Sequence, residues 1–156
     1  AGFYSVSINV ALGGAQWASI EGRKAHEPVS DCMGAQHTLC CPHDIKGPSA
    51  ICKSVTKIDH SKAGNGTLLN WKFSPAALEG DTGLDNLISL LDTYVQRKGM
   101  HSQFTVASKE TLLDAQKNPS EYKDLLVRVA GYSAYFVELS KGLQDDIIGR
   151  TELNFA

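Results

Sequence analysis

The sequence predicts an α/β fold with parallel strand pairing, and the order of its segments is the reason. The stretch TLLNWKFS alternates apolar and polar residues as a strand does, and GLDNLISLLDTYVQRKG has the spacing of an amphipathic helix. A second pair follows, because HSQFTVAS is strand-like and SKETLLDAQKN is helix-like. Strand–helix–strand–helix order is typical of parallel α/β units, and these few units would form a segment of a barrel without closing it.

The composition is that of a globular domain with one core. The chain has 156 residues, of which 42% are hydrophobic and 21% are charged, and its formal net charge is −2. This charge argues against nucleic acid or an anionic membrane as a partner, and no apolar run approaches the ~18 residues of a membrane-spanning helix. Because no signal peptide is visible, the four cysteines are expected to be free thiols in a cytoplasm.

The first third of the chain is predicted to be mostly irregular. Residues 1–20 predict a strand, FYSVSINVAL, followed by a loop that contains Gly13 and Gly14. Residues 21–50 contain three prolines and little periodicity, so they predict a long ordered loop, and such loops are often functional. CKSVTKID is compatible with a short helix or a strand, and HSKAGNG predicts a turn.

The middle of the chain has the clearest periodicity. Leu69, Trp71 and Phe73 alternate with polar residues in TLLNWKFS, which predicts a strand. The helix that follows is expected to end at Gly99. Five of its apolar residues fall on one predicted face: Leu84, Leu87, Ile88, Leu91 and Val95.

The last third predicts further strands and helices. Within SKETLLDAQKN, Ser108 is predicted to cap the helix, which ends before Pro119. LLVRV predicts an extended segment, and a turn follows it at Gly131. SAYFVELS and KGLQDDIIGR each predict a helix. Asp145 and Asp146, in the second of these, are expected to lie on a solvated face and not to form an acid/base pair.

The long loop contains residue types that could bind metal or carry a nucleophile, namely Cys32, His37, Cys40, Cys41 and His43. Their spacing is irregular, whereas structural zinc sites usually show paired C-x₂₋₄-C or H-x₃₋₅-H motifs, so no metal site is predicted. Cys41 lies two residues from His43, but nearness in sequence does not establish a catalytic pair. ALGGA is too sparse in glycine to predict a phosphate-binding loop.

The stretch LVRVAGYSAYF is unusual, because Arg128 and Gly131 interrupt an apolar run. Taken alone, an isolated glycine predicts a turn. The longer segment RVAGYSAYFVELSKGLQDDIIGRTE resembles the C-terminal signature of the glycyl radical enzymes, the pyruvate formate-lyase-like family, whose pattern is R-V-x-G-[YF]-[SA]. The resemblance continues upstream through NGTLLNWKFSPAALEG and GRKAHEPVSD, so it covers nearly the whole chain. Within this family, the sequence is more similar to the dehydratase, decarboxylase and lyase branch than to the formate-lyase branch.

This resemblance implies a role for Gly131. In the family, the glycine loses an α-hydrogen and stores a carbon radical, and it lies on a finger loop at the centre of a ten-stranded β/α barrel. Replacement of Gly131 by alanine is expected to add a methyl group at a crowded point. Apolar neighbours are expected to keep water and oxygen away from the radical: Val127, Val129, Ala130, Tyr132 and Phe136.

The resemblance also implies partners. A separate iron–sulfur activating enzyme that uses S-adenosylmethionine would install the radical, and this chain itself would bind no cofactor and no metal. The segment Tyr122 to Ser140 would swing out for activation, with QKNPSEYK as its hinge. The full-length enzyme is expected to be a homodimer that acts on a small-molecule substrate in an anoxic cytoplasm.

The thiyl cysteine of the family has no counterpart here, because the Gly-Cys context followed by a glutamate is missing from the sequence. The segment MGAQHTLCCPHDIKGP also departs from the family pattern, and the roles of Cys40, Cys41 and His43 stay open. The prediction is one C-terminal glycyl radical domain, residues 1–156. Residues 1–50 would be a barrel strand and a long loop, residues 51–107 the strand–helix units, and residues 108–156 the glycine radical region.

Three hypotheses about function follow. In the first, the chain is the C-terminal part of a larger glycyl radical lyase or dehydratase and is inactive alone; the strand at its start and the lack of an initiator Met favour this. In the second, it is a free-standing radical carrier that repairs an oxygen-cleaved parent enzyme. In the third, it is a non-catalytic α/β interaction module in which Gly131 is only a turn.

Overall fold

A computed structural model describes residue 2, residues 8–34 and residues 43–155 of the chain. In this part of the chain the elements are α1 (Asn9–Gly14), α2 (Pro48–Val55), β1 (Asn70–Phe73), α3 (Gly80–Gln96), β2 (Gln103–Val106), α4 (Lys109–Lys117), β3 (Leu126–Arg128), β4 (Ser133–Tyr135) and α5 (Lys141–Gly149). Short 3₁₀ helices lie at His60–Lys62, Pro75–Leu78, Pro119–Glu121 and Phe136–Glu138. None of the helices described here is long and apolar enough to cross a membrane.

The α/β prediction is confirmed by the pairing of β1 with β2. The two strands are parallel, with Asn70 opposite Gln103 and Phe73 opposite Val106, and α3 makes the crossover between them. Leu153 adds a further parallel bridge to Phe73. The strand β3 pairs separately with β4 as an antiparallel hairpin. Closure into a ten-stranded barrel needs strands beyond those described, so the barrel stays a prediction.

Both faces of β1 are buried. Its apolar face lies in a core cluster that consists of Cys32, Ile51, Cys52, Val55, Leu69, Trp71, Phe73, Leu90, Tyr94 and Leu153. On the other face Lys72 and Ser74 are only 4% and 7% exposed. Strands of parallel sheets are commonly covered on both sides, so the polar positions of this strand face other parts of the protein.

Lys72 is a buried cation whose ammonium group caps the C-terminal end of α5. Its Nζ donates to the carbonyl oxygens of Ile147 and Ile148 at 3.4 Å and of Arg150 at 3.3 Å. Helix C-terminal carbonyls have no partner within their helix, and they carry partial negative charge that attracts a cation. The charge is nevertheless costly to bury. Burial, with a smaller effect of the nearby Arg150, lowers the pKa of Lys72 to about 8.

The stability of the protein should therefore rise with pH above this value. Between about 8 and the ordinary lysine value of 10.5, the unfolded chain holds the proton of Lys72 and the folded chain has released it. Unfolding free energies of the wild type and of Lys72→Met, measured by denaturant from pH 7 to pH 10, isolate this effect. The difference between the two unfolding free energies should not change with pH below about pH 8. Above that pH the wild type should become more stable relative to the variant. A difference that stays flat throughout would contradict the prediction.

The helix α3 buries a different face from the predicted one. Leu90 and Tyr94 are 6% and 1% exposed, whereas Leu84, Ile88 and Val95 are more than half exposed. The predicted stripe is thus rotated by about one residue from the face that contacts β1. The reason is the tertiary contact of Tyr94, whose ring packs edge-on against His60 and Trp71.

Gly99 has a different role from the predicted helix stop. The left-handed residue after α3 is Lys98, with a φ of 69°. A Cβ built at Gly99 would lie 2.3 to 2.5 Å from the ring carbons of Tyr94. The glycine is therefore required so that the backbone can pass directly over this ring.

Gly99→Ala should consequently destabilise the protein by about 1–3 kcal/mol, the usual cost of overpacking a core. The Tyr94 ring cannot move away easily, because it is fully buried and its hydroxyl donates to the carbonyl of His101 at 3.0 Å. Gly64→Ala is the matched control, since its added Cβ would meet no atom within 4 Å. Chemical denaturation of both variants checks the prediction, and equal midpoints would contradict it.

Two further predictions about the elements were wrong. Residues 9–14 form α1, whereas a strand was predicted up to residue 12 and a loop after it; residues 3–7 of that predicted strand lie outside the described residues. Residues 133–140 were predicted to be a helix, but they form β4 and a 3₁₀ turn. The tertiary reason is that β4 completes a hairpin with β3, in which Leu126 lies opposite Tyr135.

Several other assignments are confirmed, whereas the loop predicted for residues 21–50 ends earlier, because α2 begins at Pro48, and its residues 35–42 lie outside the described part of the chain. The hydroxyl of Ser108 accepts a hydrogen bond from the Thr111 amide at 3.1 Å and caps α4, which ends before Pro119. Residues 52–55 are helical, as one of the two readings of CKSVTKID allowed, and α5 forms as predicted. The last two helices and the hairpin share a second core cluster, which consists of Ala107, Leu112, Ala115, Val127, Val129, Phe136, Ile147 and Ile148.

Candidate functional site

Gly131 lies at the tip of the β3–β4 hairpin. Arg128 and Ser133 are the last paired residues, and the amide of Val129 donates to the carbonyl of Tyr132 at 2.9 Å. The turn between them is Ala130-Gly131, and Gly131 has a φ of 72°. A left-handed residue at the third position is what a type II turn needs, and glycine adopts it without steric cost.

The turn is buried at its base and exposed at its tip. Val127, Val129 and Ala130 are at most 2% exposed, whereas Gly131 is exposed and Tyr132 is 38% exposed. Of the five residues predicted to shield the glycine, Val127, Val129 and Phe136 are in the second core and Ala130 is also buried, but Tyr132 is not, and within this chain they leave Gly131 open. The backbone of Gly131 is accordingly accessible to a partner.

The described residues of this chain do not crowd Gly131, so the crowding expected there stays a prediction for the whole enzyme. A Cβ added at Gly131 would meet only the Leu68 Cδ1 atom, at 3.6 Å, which is an ordinary van der Waals contact. Space for a methyl group is available in this chain. The structural demand for glycine comes from the positive φ alone.

Arg128 makes four hydrogen bonds, two of which join the hairpin to the parallel sheet. Its NH1 atom donates to Ser133 Oγ at 3.1 Å, across the base of the turn, and its Nε atom donates to Gln103 Oε1. Its amide donates to Thr105 Oγ1 at 3.1 Å, and its carbonyl accepts from Arg150 NH1 at 3.1 Å. The polar contacts of this one residue therefore connect the turn with β2 and with the end of α5.

A line of side chains continues from Gln103 into the interior. Gln103 Nε2 donates to Asn70 Oδ1, and Asn70 Nδ2 donates to Asp31 Oδ2 at 2.6 Å. Asp31 lies 3.3 Å from Arg150 NH1, and Arg150 NH2 lies 2.9 Å from Asp146 Oδ2. Since Arg150 NH1 also donates to the carbonyl of Arg128, the line closes into a ring.

The ion cluster Asp31–Arg150–Asp146 in this ring is buried, with all three side chains at most 7% exposed. Burial by itself would lower the pKa of Arg150, but the attraction of Asp31 and Asp146 outweighs it, and the net direction is upward. The guanidinium therefore stays charged inside the protein. The prediction that Asp146 lies on a solvated face was wrong, whereas Asp145 is half exposed and pairs with Lys141 at 3.1 Å.

The sequence reasoning missed this ring, although one signal pointed to it. Asn70 and Gln103 occupy matching positions in two neighbouring predicted strands, and the structure places them directly opposite each other. Paired amides on a covered sheet face need each other as hydrogen-bond partners. The contributions of Asp31, Arg150 and Asp146 had no local signal, because these residues come together only through the fold.

The long loop contributes little to this site. Cys40, Cys41 and His37 lie outside the described residues, so the absence of a metal site or a Cys41–His43 pair stays a prediction. Cys32 is a buried core residue, and burial raises the pKa of its thiol to about 12, which makes it a poor nucleophile. His43 is exposed.

Comparison with known proteins identifies the segment around the turn. The family model described as glycine radical matches residues 40–137, which include β1, β2 and the whole β3–β4 hairpin. This match covers more than half of the chain, and Gly131 lies inside it.

Individual relatives agree over almost the full chain. The (2S)-3-sulfopropanediol dehydratase of Klebsiella oxytoca is 56% identical over 154 residues, which is 99% of this chain and 19% of that protein. The trans-4-hydroxy-L-proline dehydratase of Clostridioides difficile is 48% identical over 96% of this chain and 18% of its own length. The chain thus spans about a fifth of the length of these curated relatives. Their activities confirm the predicted dehydratase and lyase branch.

Solved structures show the same arrangement. The glycerol-bound form of the B12-independent glycerol dehydratase from Clostridium butyricum superposes with a TM-score of 0.90 at 51% identity, over 99% of this chain and 19% of that one. A structure reported for 1,2-propanediol dehydration in Roseburia inulinivorans gives a TM-score of 0.91 at 53% identity, over 97% and 18%. The α/β fold described above is therefore that of a region of these enzymes.

Proposed function

Because this chain belongs to the glycine radical family, we propose that it stores a carbon-centred radical on Gly131 for a dehydratase-type enzyme. One observation carries the assignment to this residue. Gly131 is the exposed, left-handed tip of a short hairpin inside the matched segment, so its backbone is accessible while Val129, two residues before it, is anchored in the core. This combination of an accessible Cα and a rigid base suits a residue that must react with partners and return to one position.

The chemistry follows from the backbone of glycine. Homolysis of one Cα–H bond, with transfer of the hydrogen atom to a radical of the activating enzyme, would leave an unpaired electron on the Cα atom. The flanking amide nitrogen donates electron density and the carbonyl withdraws it, so the electron delocalises along the backbone. Because glycine has no Cβ, the centre can become planar without a clash. In turnover, Gly131 would take a hydrogen atom from a cysteine thiol and leave a thiyl radical that attacks the substrate.

The proposal includes partners outside the described chain. An iron–sulfur activating enzyme that uses S-adenosylmethionine would generate the radical, and a thiyl cysteine and most of a ten-stranded barrel would come from the rest of a homodimeric enzyme. Since the named relatives are dehydratases, the substrate class would be a small hydroxylated molecule that loses water. Oxygen sensitivity of the radical would restrict the enzyme to an anoxic cytoplasm.

Activation would require the turn to leave its site, and the segment before β3 is the proposed hinge. Asp114 in α4 holds this segment at two points: Tyr122 OH donates to it at 2.5 Å and Asn118 Nδ2 at 2.8 Å. The movable unit would be the segment Tyr122 to Ser140. Its protease sensitivity should increase when the activating enzyme is added, and equal sensitivity with and without that enzyme would argue against the hinge.

The decisive experiment is electron paramagnetic resonance on the anaerobic protein, after treatment with an activating enzyme, S-adenosylmethionine and reductant. We expect a doublet that collapses when the protein contains α-deuterated glycine. A full-length relative activated in parallel is the control. Absence of the doublet in this chain, with a signal in the control, would refute radical storage by the chain alone, and a doublet would show that the chain can act as a carrier.

Exposure of the activated sample to air provides a second measurement with an independent readout. Oxygen adds to a carbon radical and breaks the backbone there, so mass spectrometry should find cleavage at Gly131, between Ala130 and Tyr132. Cleavage at another glycine would assign the radical to that residue and overturn the assignment to Gly131.

A further inference from the structure

The hairpin and the parallel sheet are joined in an unusual way. Among the described residues, no backbone–backbone hydrogen bond connects β2 with β3, although the two strands are neighbours. Hydrogen bonds that involve a side chain connect the two strands: Arg128 Nε donates to Gln103 Oε1, and the Arg128 amide donates to Thr105 Oγ1. The position of the Gly131 turn relative to the sheet therefore depends on side chains and not on a strand ladder.

The ring of side chains has only one consistent orientation. A guanidinium can only donate hydrogen bonds, so Gln103 must present its oxygen to Arg128 and its NH₂ group to Asn70. Asn70 must then direct its own NH₂ group to Asp31, whose carboxylate can only accept. A flip of either amide would place two donors or two acceptors face to face. The charges at the two ends thus determine the direction of both amides.

At the end of this ring nearest the turn, the guanidinium of Arg128 donates to two different partners. Arg128 uses Nε for Gln103 and NH1 for Ser133, so one planar group holds both the sheet and the strand that follows Gly131. A lysine at this position could not reproduce this, because its single ammonium lacks the fork. We propose that Arg128 is the positioning residue of Gly131: through Gln103 and Asn70 it fixes the turn on the buried ion cluster. This inference rests on the proposed function for its biological meaning and on the contacts for its geometry.

Amide hydrogen exchange on the unactivated chain tests the positioning role without any radical. In Arg128→Lys and Gln103→Met, the amides of residues 128 and 129 should exchange about tenfold faster or more, as expected for the loss of a hydrogen bond to a charged group. Amides in the middle of α3 should keep their wild-type rates. Gln16→Met is the matched control, because Gln16 Oε1 also accepts from an arginine, Arg23 NH2 at 3.4 Å, and this contact involves no residue of the ring.

Two outcomes would overturn the inference. One is unchanged exchange at the turn in both ring variants. The other is faster exchange of the turn and of α3 by the same factor, because that result would mean a purely global loss of stability. A local effect confined to the turn would support the proposal.

The same variants then connect the ring to radical storage. After activation under identical conditions, Arg128→Lys should hold a different radical yield per chain from the wild type, and Gln16→Met should match the wild type. Loss of the doublet in every protein, the wild type included, would refute the proposed function. It would not affect the positioning role that amide hydrogen exchange measures. An altered exchange rate with an unaltered radical yield would overturn the positioning role for the reaction.

Discussion

Gly131→Ala is expected to abolish the radical doublet completely while the protein stays folded. Alanine at a φ of 72° costs about 1–2 kcal/mol, but its methyl group meets only Leu68, at 3.6 Å. The chemical effect is much larger than the structural one. The Cβ would hinder a planar radical and the approach of the activating enzyme, so the doublet and the oxygen cleavage should both disappear. Electron paramagnetic resonance and denaturant unfolding of the same sample measure the two effects.

Gly66→Ala is the control that separates backbone strain from radical chemistry. Gly66 also has a positive φ, 90°, and an added Cβ there would meet nothing within 4 Å. It should lose a similar amount of stability and keep the full doublet. A doublet of wild-type intensity in Gly131→Ala, together with its loss in Gly66→Ala, would show that Gly131 is only a turn residue.

Arg150→Ala is expected to destabilise the protein by about 3–5 kcal/mol, the usual cost of breaking a buried ion pair from one side. The substitution leaves Asp31 and Asp146 in the interior without the cation that lies 3.3 and 2.9 Å away. It also removes the donor to the carbonyl of Arg128, so the Gly131 turn should loosen as well. Denaturant unfolding of the variant and of the wild type measures the loss.

The matched control is Lys141→Ala on the same helix. Lys141 pairs with Asp145 at 3.1 Å, but the two side chains are 77% and 47% exposed. Such a surface pair contributes about 0–1 kcal/mol, so the variant should unfold close to the wild type. Similar losses for Arg150→Ala and Lys141→Ala would contradict the structural importance assigned to the buried cluster.

Local features of this protein follow from sequence because their causes are local. Ser108 caps α4 through an amide three residues away, and the alternation in TLLNWKFS reports the geometry of one strand. The α/β class and the parallel pairing also follow, since strand–helix–strand order leaves few alternatives. Gly131 was identified through its family signature, and the glycine radical model covers that position.

The errors arose where distant segments decide the outcome. SAYFVELS has helical spacing, yet β4 forms because β3 offers a partner across the turn. Only the fold also rotates α3 to place Tyr94 on Trp71, and only the fold brings Asp31, Asp146 and Arg150 together.

The sequence by itself thus determined the class of fold and the positions of α4 and α5, and its family signature pointed to Gly131 as the proposed radical residue. The tertiary structure alone decided how that residue is held, through a ring that runs from Arg128 to a buried ion cluster. The physical reason is that capping and periodicity act over a few residues, whereas buried charges must find partners wherever the folded chain places them.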